Sequence, residues 1–167
     1  ILHQLRQNQK SLLDIVNNIL DLERLEATGS LPLDKTMVDL LDVAQTALAS
    51  LQVQATRKEI TLLYHPTAHP LWVNADLQQM KRVFHNLLSN AIKYSPHQAK
   101  VTLSFDQNQE WVMFDVVDTG FGIPPEDMPH VFDRFHRIAK YSQAVAGTGL
   151  GLSITKAIVE AHQGSIS

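Results

Sequence analysis

The chain has 167 residues, 44% of them hydrophobic and 19% charged, with a formal net charge of −3 and no cysteine. That is enough apolar material for one globular domain with a small appendage, and the missing cysteines exclude disulfides and thiolate metal sites. The slightly acidic balance argues against a nucleic-acid partner, which would call for a basic patch or stripe, and no apolar run approaches the roughly 18 residues that span a bilayer.

Residues 2–26 carry helical periodicity. Leu2, Leu5, Leu12, Ile15, Ile19 and Leu22 form an a/d seam interrupted at Asn8, which suits either a helix packed on its own domain or one helix of a dimerising bundle. Thr28-Gly29-Ser30-Leu31-Pro32 stops it, placing a linker near 28–36. A second amphipathic helix is expected over 38–55, followed by strands at Glu59–Tyr64 and Leu71–Val73. Asn74 or Asp76 can cap a third helix over 76–93. A hairpin of strands 99–106 and 110–117 comes next, joined around Asp106-Gln107-Asn108-Gln109. Residues 119–148 read as loop, and a last helix runs from near Gly149 to Ala161. Helices mixed with strands around a central hairpin point to an α+β layered domain. The chain opens inside a helical pattern and closes on Gly164-Ser165-Ile166-Ser167, like a strand just beginning. It is therefore expected to be a piece of a longer protein.

Five of the seven glycines fall in two clusters, Gly120 and Gly122 in one and Gly147, Gly149 and Gly151 in the other. Glycine allows sharp turns and close approach of a ligand, and the second cluster opens a helix, where free N–H groups and the dipole favour phosphate. Neither cluster has the spacing of a P-loop or of a dinucleotide fingerprint, and each alone is more often an ordinary turn. Val112, Phe114 and Val116 alternate along one strand, and Asp118 continues their parity toward the apolar side. A carboxylate there is costly unless bonded. It either caps a loop N–H or accepts a ligand's amino group, such as the exocyclic amine of adenine. On the third helix, Leu77, Met80, Val83, Phe84, Leu87, Leu88 and Ala91 make the apolar stripe. Asn86, Asn90 and Lys93 share a different one at i, i+4 and i+7. Such a row is either a solvated face or a set of amides and an amine able to hold a hydrated cation and phosphates.

Together these segments resemble a known family. Asn86-Leu87-Leu88-Ser89-Asn90-Ala91-Ile92-Lys93-Tyr94-Ser95 resembles the N box of sensor histidine kinases. Asp118-Thr119-Gly120-Phe121-Gly122-Ile123 resembles their first glycine box, Phe132–Arg137 their F box, and Gly147-Thr148-Gly149-Leu150-Gly151-Leu152 their second glycine box. Residues 19–26 resemble the end of the second helix of their dimerisation hairpin. The resemblance implies a two-layer α/β sandwich, with a mixed sheet covered on one face by helices, an ATP lid over 136–146 and a protruding N-terminal helical stub. It implies domains at 1–28 (hairpin end), 29–36 (linker) and 37–167 (catalytic). ATP and Mg²⁺ would be the cofactors, a response-regulator receiver the partner, and the hairpin a homodimer contact in the intact protein. The domain itself would be cytoplasmic. Asn90 would ligate Mg²⁺ with Asn86 assisting, Lys93 and Arg137 would meet phosphate, and Tyr94 would flank adenine. Asp118 would accept its amine, with Gly120, Gly122 and Ile123 shaping the base pocket. Gly147, Thr148, Gly149, Leu150, Gly151 and Leu152 would close the pocket and cradle phosphate.

Two departures bear on chemistry. Related hydrolytic ATPases carry a Glu base where this chain has Asn86, and an amide cannot take a proton from water. That favours a phosphoryl donor. The family's phosphoacceptor box is missing. His3 shares part of its pattern but lies only 18 residues before Asp21, on the same helix, where the family's hairpin needs about another helix and a turn. Rival readings are a nucleotide-binding pseudokinase, an ATPase of the same fold, and a serine kinase of the anti-sigma type.

Overall fold

The computed structural model describes residues 31–142 and 147–167, together with 16, 17, 19, 20, 23 and 27. Those six are exposed and helical. The rest of the apolar seam, His3 and lid residues 143–146 lie outside the described residues. The chain forms two compact units, one spanning Leu33–Pro124 and the other holding Pro125–Ser167 with the N-terminal segment.

In the first unit, β1 (Lys35–Asp39) leads directly into α1 (Leu40–Arg57), β2 (Thr61–His65) follows, and β3 (Trp72–Asp76) leads directly into α2 (Leu77–Lys93). The hairpin β4 (Lys100–Gln107) and β5 (Val112–Asp118) completes it. β2 runs parallel to β4, and β4 antiparallel to β5, so the three-stranded sheet is mixed. β1 and β3 form a separate antiparallel ribbon. The α+β class and mixed sheet agree with expectation. β1 does not: the sequence pattern places residues 35 and 36 in a linker, and 38 and 39 in the following helix. Only Val38 of its five residues is buried, so no strong alternation marks the strand.

Both ribbon strands end on an aspartate that caps the next helix. Asp39 Oδ1 accepts from Leu41 N at 3.0 Å and from Leu71 N at 3.0 Å. Asp76 Oδ1 accepts from Gln78 N at 2.9 Å and Gln79 N at 3.1 Å, and its Oδ2 from Asp34 N at 2.9 Å. Of the two candidate caps for α2, Asp76 serves; Asn74 sits within β3 opposite Met37.

The face of α2 toward the sheet is aromatic at its centre. The Phe84 ring lies 4.4 Å from Phe114 and 5.9 Å from Phe105, and Tyr64 meets Phe105 edge-on at 6.2 Å. Such pairs add about 0.5–1.5 kcal/mol each beyond the area they bury. Met80, Val83, Leu88, Ala91 and Ile92 complete the buried stripe. Leu77, expected in it, is 38% exposed, because the first turn of α2 overhangs the ribbon rather than the sheet.

The hairpin turns at Asn108, whose Oδ1 accepts from Glu110 N at 2.9 Å and Trp111 N at 2.8 Å. In the second unit, a short 3-10 turn at Met128–His130 and a single helical turn, α3 (Ala139–Ser142), precede α4 (Gly151–Ala161). α3 lies within the expected loop, and its Tyr141 is buried.

Replacing Asp76 by Ala removes two capping bonds and the tie to Asp34. A cap is worth about 1 kcal/mol and the additional bond about 1 more. Urea unfolding of Asp76→Ala should show a loss of about 2 kcal/mol, and a loss below about 0.5 kcal/mol would contradict the double role of this carboxylate.

Candidate functional site

The residues singled out on α2 share one side of the helix in the fold. Asn86, Asn90 and Lys93 are each half-buried, away from the aromatic face. Burial holds the Lys93 ammonium below its ordinary value of 10.5, since desolvation disfavours the charged form. Its charge is therefore poised for an anion.

At the C-terminal end of α2 the chain gathers three of the expected site residues. Asp118 is the last residue of β5 and pairs with Val101, while Val116 pairs with Leu103 and Phe114 with Phe105. It therefore lies on the sheet face that meets α2, as its parity requires, at the strand end, where the side chain stays exposed. Its Oδ1 accepts from Gly120 N at 2.8 Å, and Phe121 N donates to Tyr94 O at 3.0 Å. Thr119 closes the loop from the other side: its N–H donates to Lys100 O at 3.0 Å and its Oγ1 accepts from Lys100 N at 2.9 Å. A Cβ on Gly120 would stand 2.6 Å from Tyr94 O and collide with Asp118 Oδ1. Only glycine permits this contact between the loop and the helix end. Gly122 has a different reason to be glycine, a φ of +69° with open space around it. Ile123 is exposed beside it. Ser95, 1% exposed, was not singled out from the sequence; its Oγ lies 3.2 Å from where a Gly120 Cβ would be.

The remaining expected residues lie in the second unit. Phe135 has a φ of +62°, rare for an aromatic residue, and its N–H donates to Gly149 O at 3.0 Å. Gly149 has a φ of +75°, and a Cβ there would stand 2.6 Å from the Phe135 carbonyl carbon. The F-box and second glycine segments thus touch backbone to backbone. Arg137 Nη2 donates to Ser142 O at 2.7 Å, folding the guanidinium back onto α3. The fully buried Leu150 is the N-cap of α4 and makes no side-chain cap bond. Thr148 Oγ1 accepts from Leu150 N at 3.4 Å. Gly147 is exposed, while Gly151 and Leu152 are half-buried at the helix start.

No group of three or more His, Cys, Asp or Glu among the described residues could hold a metal ion. His136 Nε2 pairs with Asp127 Oδ1 at 3.0 Å and His130 Nδ1 with Asp133 Oδ2 at 2.8 Å, which makes both histidines local partners of loop carboxylates.

The first two glycines of the second box should separate in a simple test. Gly149→Ala is strained by its φ and blocked by the Phe135 backbone, so thermal unfolding should show a loss of about 2 kcal/mol. A Cβ on Gly147 meets nothing within 4 Å, and Gly147→Ala should stay within about 0.5 kcal/mol of the parent. Equal effects would refute the backbone contact.

Comparison with known proteins agrees with this geometry. The family model described as histidine kinase-, DNA gyrase B- and HSP90-like ATPase matches residues 75–167. The chain is 35% identical over 167 residues to the hybrid signal transduction histidine kinase D of Dictyostelium discoideum, covering 96% of this chain and 11% of that protein. It spans between 11% and 26% of the length of the first curated relatives it matches. Among solved structures, a mycobacterial sensor histidine kinase, MprB, superposes with a TM-score of 0.65 at 32% identity, over 77% of this chain and 80% of that one. Full-length ShkA, solved in complex with AMPPNP, does so with a TM-score of 0.78 at 26% identity, over 95% of this chain and 33% of that one. The chain belongs to the histidine kinase-, DNA gyrase B- and HSP90-like ATPase family, and its fold is that of a histidine kinase catalytic domain.

Proposed function

We propose that the chain binds Mg-ATP and donates the γ-phosphoryl group to a histidine carried on a helical hairpin, for onward transfer to a receiver-domain aspartate. The observation that carries this is the junction at the end of α2. There the Tyr94 carbonyl, the Asp118 carboxylate and Gly120 meet at the end of a stripe bearing Asn86, Asn90 and Lys93.

Asp118 accepts the adenine amino group, Tyr94 flanks the ring, and Gly120, Gly122 and Ile123 shape the wall of the base pocket. Lys93, half-buried and with its charge disfavoured by desolvation, meets phosphate oxygens. Gly147, Thr148, Gly149, Leu150, Gly151 and Leu152, leading into and opening α4, cradle phosphate at a helix N-terminus. Arg137 leaves Ser142 O to reach the terminal phosphate. Asn90, with Asn86 beside it, fits a hydrated magnesium: a hard cation takes amide oxygens and keeps several waters. The chemistry a bound magnesium supplies is neutralisation of phosphate charge. Catalysis otherwise rests on positioning, since phosphoryl transfer asks little covalent chemistry of the protein.

Asn86 separates the kinase reading from hydrolysis. A hydrolytic relative of this fold uses a carboxylate base at this point, and an amide has no basic site for a water proton. ATP is thereby spared until an acceptor arrives. A nucleotide-binding module without catalysis would keep Asp118, Lys93 and the glycines too, so transfer of phosphate to a hairpin separates the two readings. In the intact protein, a homodimer through the hairpin and a receiver-domain partner go with this reading. A cytoplasmic setting fits ATP as the donor, and no described helix is long and apolar enough to cross a membrane.

Titration with ADP tests the base contact. Losing a hydrogen bond to a charged acceptor that the ligand covers costs about 1.5–3 kcal/mol, so Asp118→Asn should bind roughly ten- to a hundred-fold more weakly. Unchanged affinity would remove the assignment.

Lys93 gives a pH signature. Its pKa lies below 10.5 in the free protein, and a phosphate beside it raises that value again. Between the two values binding takes up a proton, so ADP affinity falls as pH climbs through that alkaline interval. Lys93→Met should weaken binding at neutral pH and abolish the alkaline fall. A fall that survives the substitution assigns it to another group.

A further inference from the structure

The C-terminus of α2 is closed by a side chain from far away in sequence. Lys58, the residue after α1, donates from Nζ to Ile92 O at 3.0 Å, Lys93 O at 2.9 Å and Ser95 O at 3.0 Å. These carbonyls have no partner within the helix. A last-turn lysine commonly serves such an end, and Lys93 stands in that last turn. Yet the cation on the carbonyls is Lys58.

Neighbouring contacts hold Lys58 in place. Its backbone N–H closes α1 onto Ala55 O at 3.0 Å, and its carbonyl accepts from Gln98 N at 3.1 Å. Glu59 and Gln98 both adopt left-handed backbone, with φ of +56° and +62°, and Gln98 Nε2 donates to Glu59 Oε2 at 2.9 Å. Two turns that ordinarily favour glycine are thus laced together around this lysine, and strained backbone of this kind persists only where its surroundings over-determine it.

Tyr94 sits between the carbonyls Lys58 holds, and its own carbonyl accepts from Phe121 N. We propose that Lys58 is a positioning residue for the nucleotide site: by capping α2 in place of Lys93, it frees the Lys93 ammonium for phosphate and fixes the Tyr94 carbonyl on which the Asp118–Gly122 loop is hung. Lys58 does not touch the nucleotide in this account. The role in binding rests on the proposed nucleotide site, whereas the role in holding the loop does not.

The experiment compares Lys58→Met, which keeps the aliphatic stem and loses every donor, with Lys58→Arg, which keeps a cation and donors. Two quantities are measured on folded protein: ADP affinity, and hydrogen exchange of the Phe121 amide by NMR. In Lys58→Met, ADP should bind about tenfold more weakly, since a small misplacement is enough to cost that much. The Phe121 amide should exchange faster, while amides in the middle of α1 stay as protected as in the parent. Lys58→Arg should recover most of both. A general loss of stability would instead raise exchange at Phe121 and in α1 alike, and that pattern overturns the proposal, as does parent-like ADP affinity and Phe121 protection in Lys58→Met. If the parent itself does not bind ADP, the nucleotide site is wrong and the Phe121 exchange alone decides whether Lys58 holds the loop. Should Lys58→Met not fold, Lys58→Gln, with a single amide donor group, carries the same measurements and the same criteria.

Discussion

The last carbonyls of α2 point along the helix axis with no partner of their own, and a half-buried helix end in that condition is unstable. Here they are met by the Lys58 ammonium, and the next carbonyl, that of Tyr94, receives Phe121 N–H. Much else in the first unit follows from that closure. The loop after β5 can cross the end of α2 only because residue 120 has no side chain. Asp118 then ends its strand on the side facing α2, with Gly120 N–H steadying the carboxylate. A helix that uses one face to cover Phe105 and Phe114 thereby offers a second stripe, and its terminus, to a ligand.

The opposite end of α2 is set by the same economy of parts. Asp76 is at once the last residue of β3, the cap of α2 and the anchor for Asp34 N–H. Asp39 repeats the device for α1. A strand that ends on its helix's cap needs no connecting loop. Both helices are therefore held to the ribbon at one end, and α2 is held to the glycine loop at the other.

Much of this was legible in the sequence, and the exceptions have physical causes. The helices announced themselves through 3.6-residue periodicity, the hairpin through alternation about a polar turn, and Asp118 through its parity with Val112, Phe114 and Val116. β1 was not legible: five residues with one buried position carry no period, and the strand is defined by its pairing with β3. Lys58 was invisible for a different reason. Its role depends on carbonyls 34 to 37 residues away, and a lysine after a helix reads as a solvated charge. The residues 59 and 98 that brace it lack the glycines that usually mark left-handed turns. Gly120 and Gly149 were legible as glycines, but only their contacts with Tyr94 and Phe135 say why alanine would not serve.

The proposed role as a phosphoryl donor that spares its ATP until a histidine arrives is tested most directly by adding a separately purified hairpin that carries the acceptor histidine to the chain and γ-labelled Mg-ATP. Acid-labile phosphate on the hairpin and free phosphate are then followed together. The account predicts label on the hairpin, accumulating slowly because the two parts are no longer tethered, with release of free phosphate slower still in the absence of hairpin. Rapid phosphate release with no label on the hairpin would contradict it, and would assign the chain to the hydrolytic branch of its family despite Asn86.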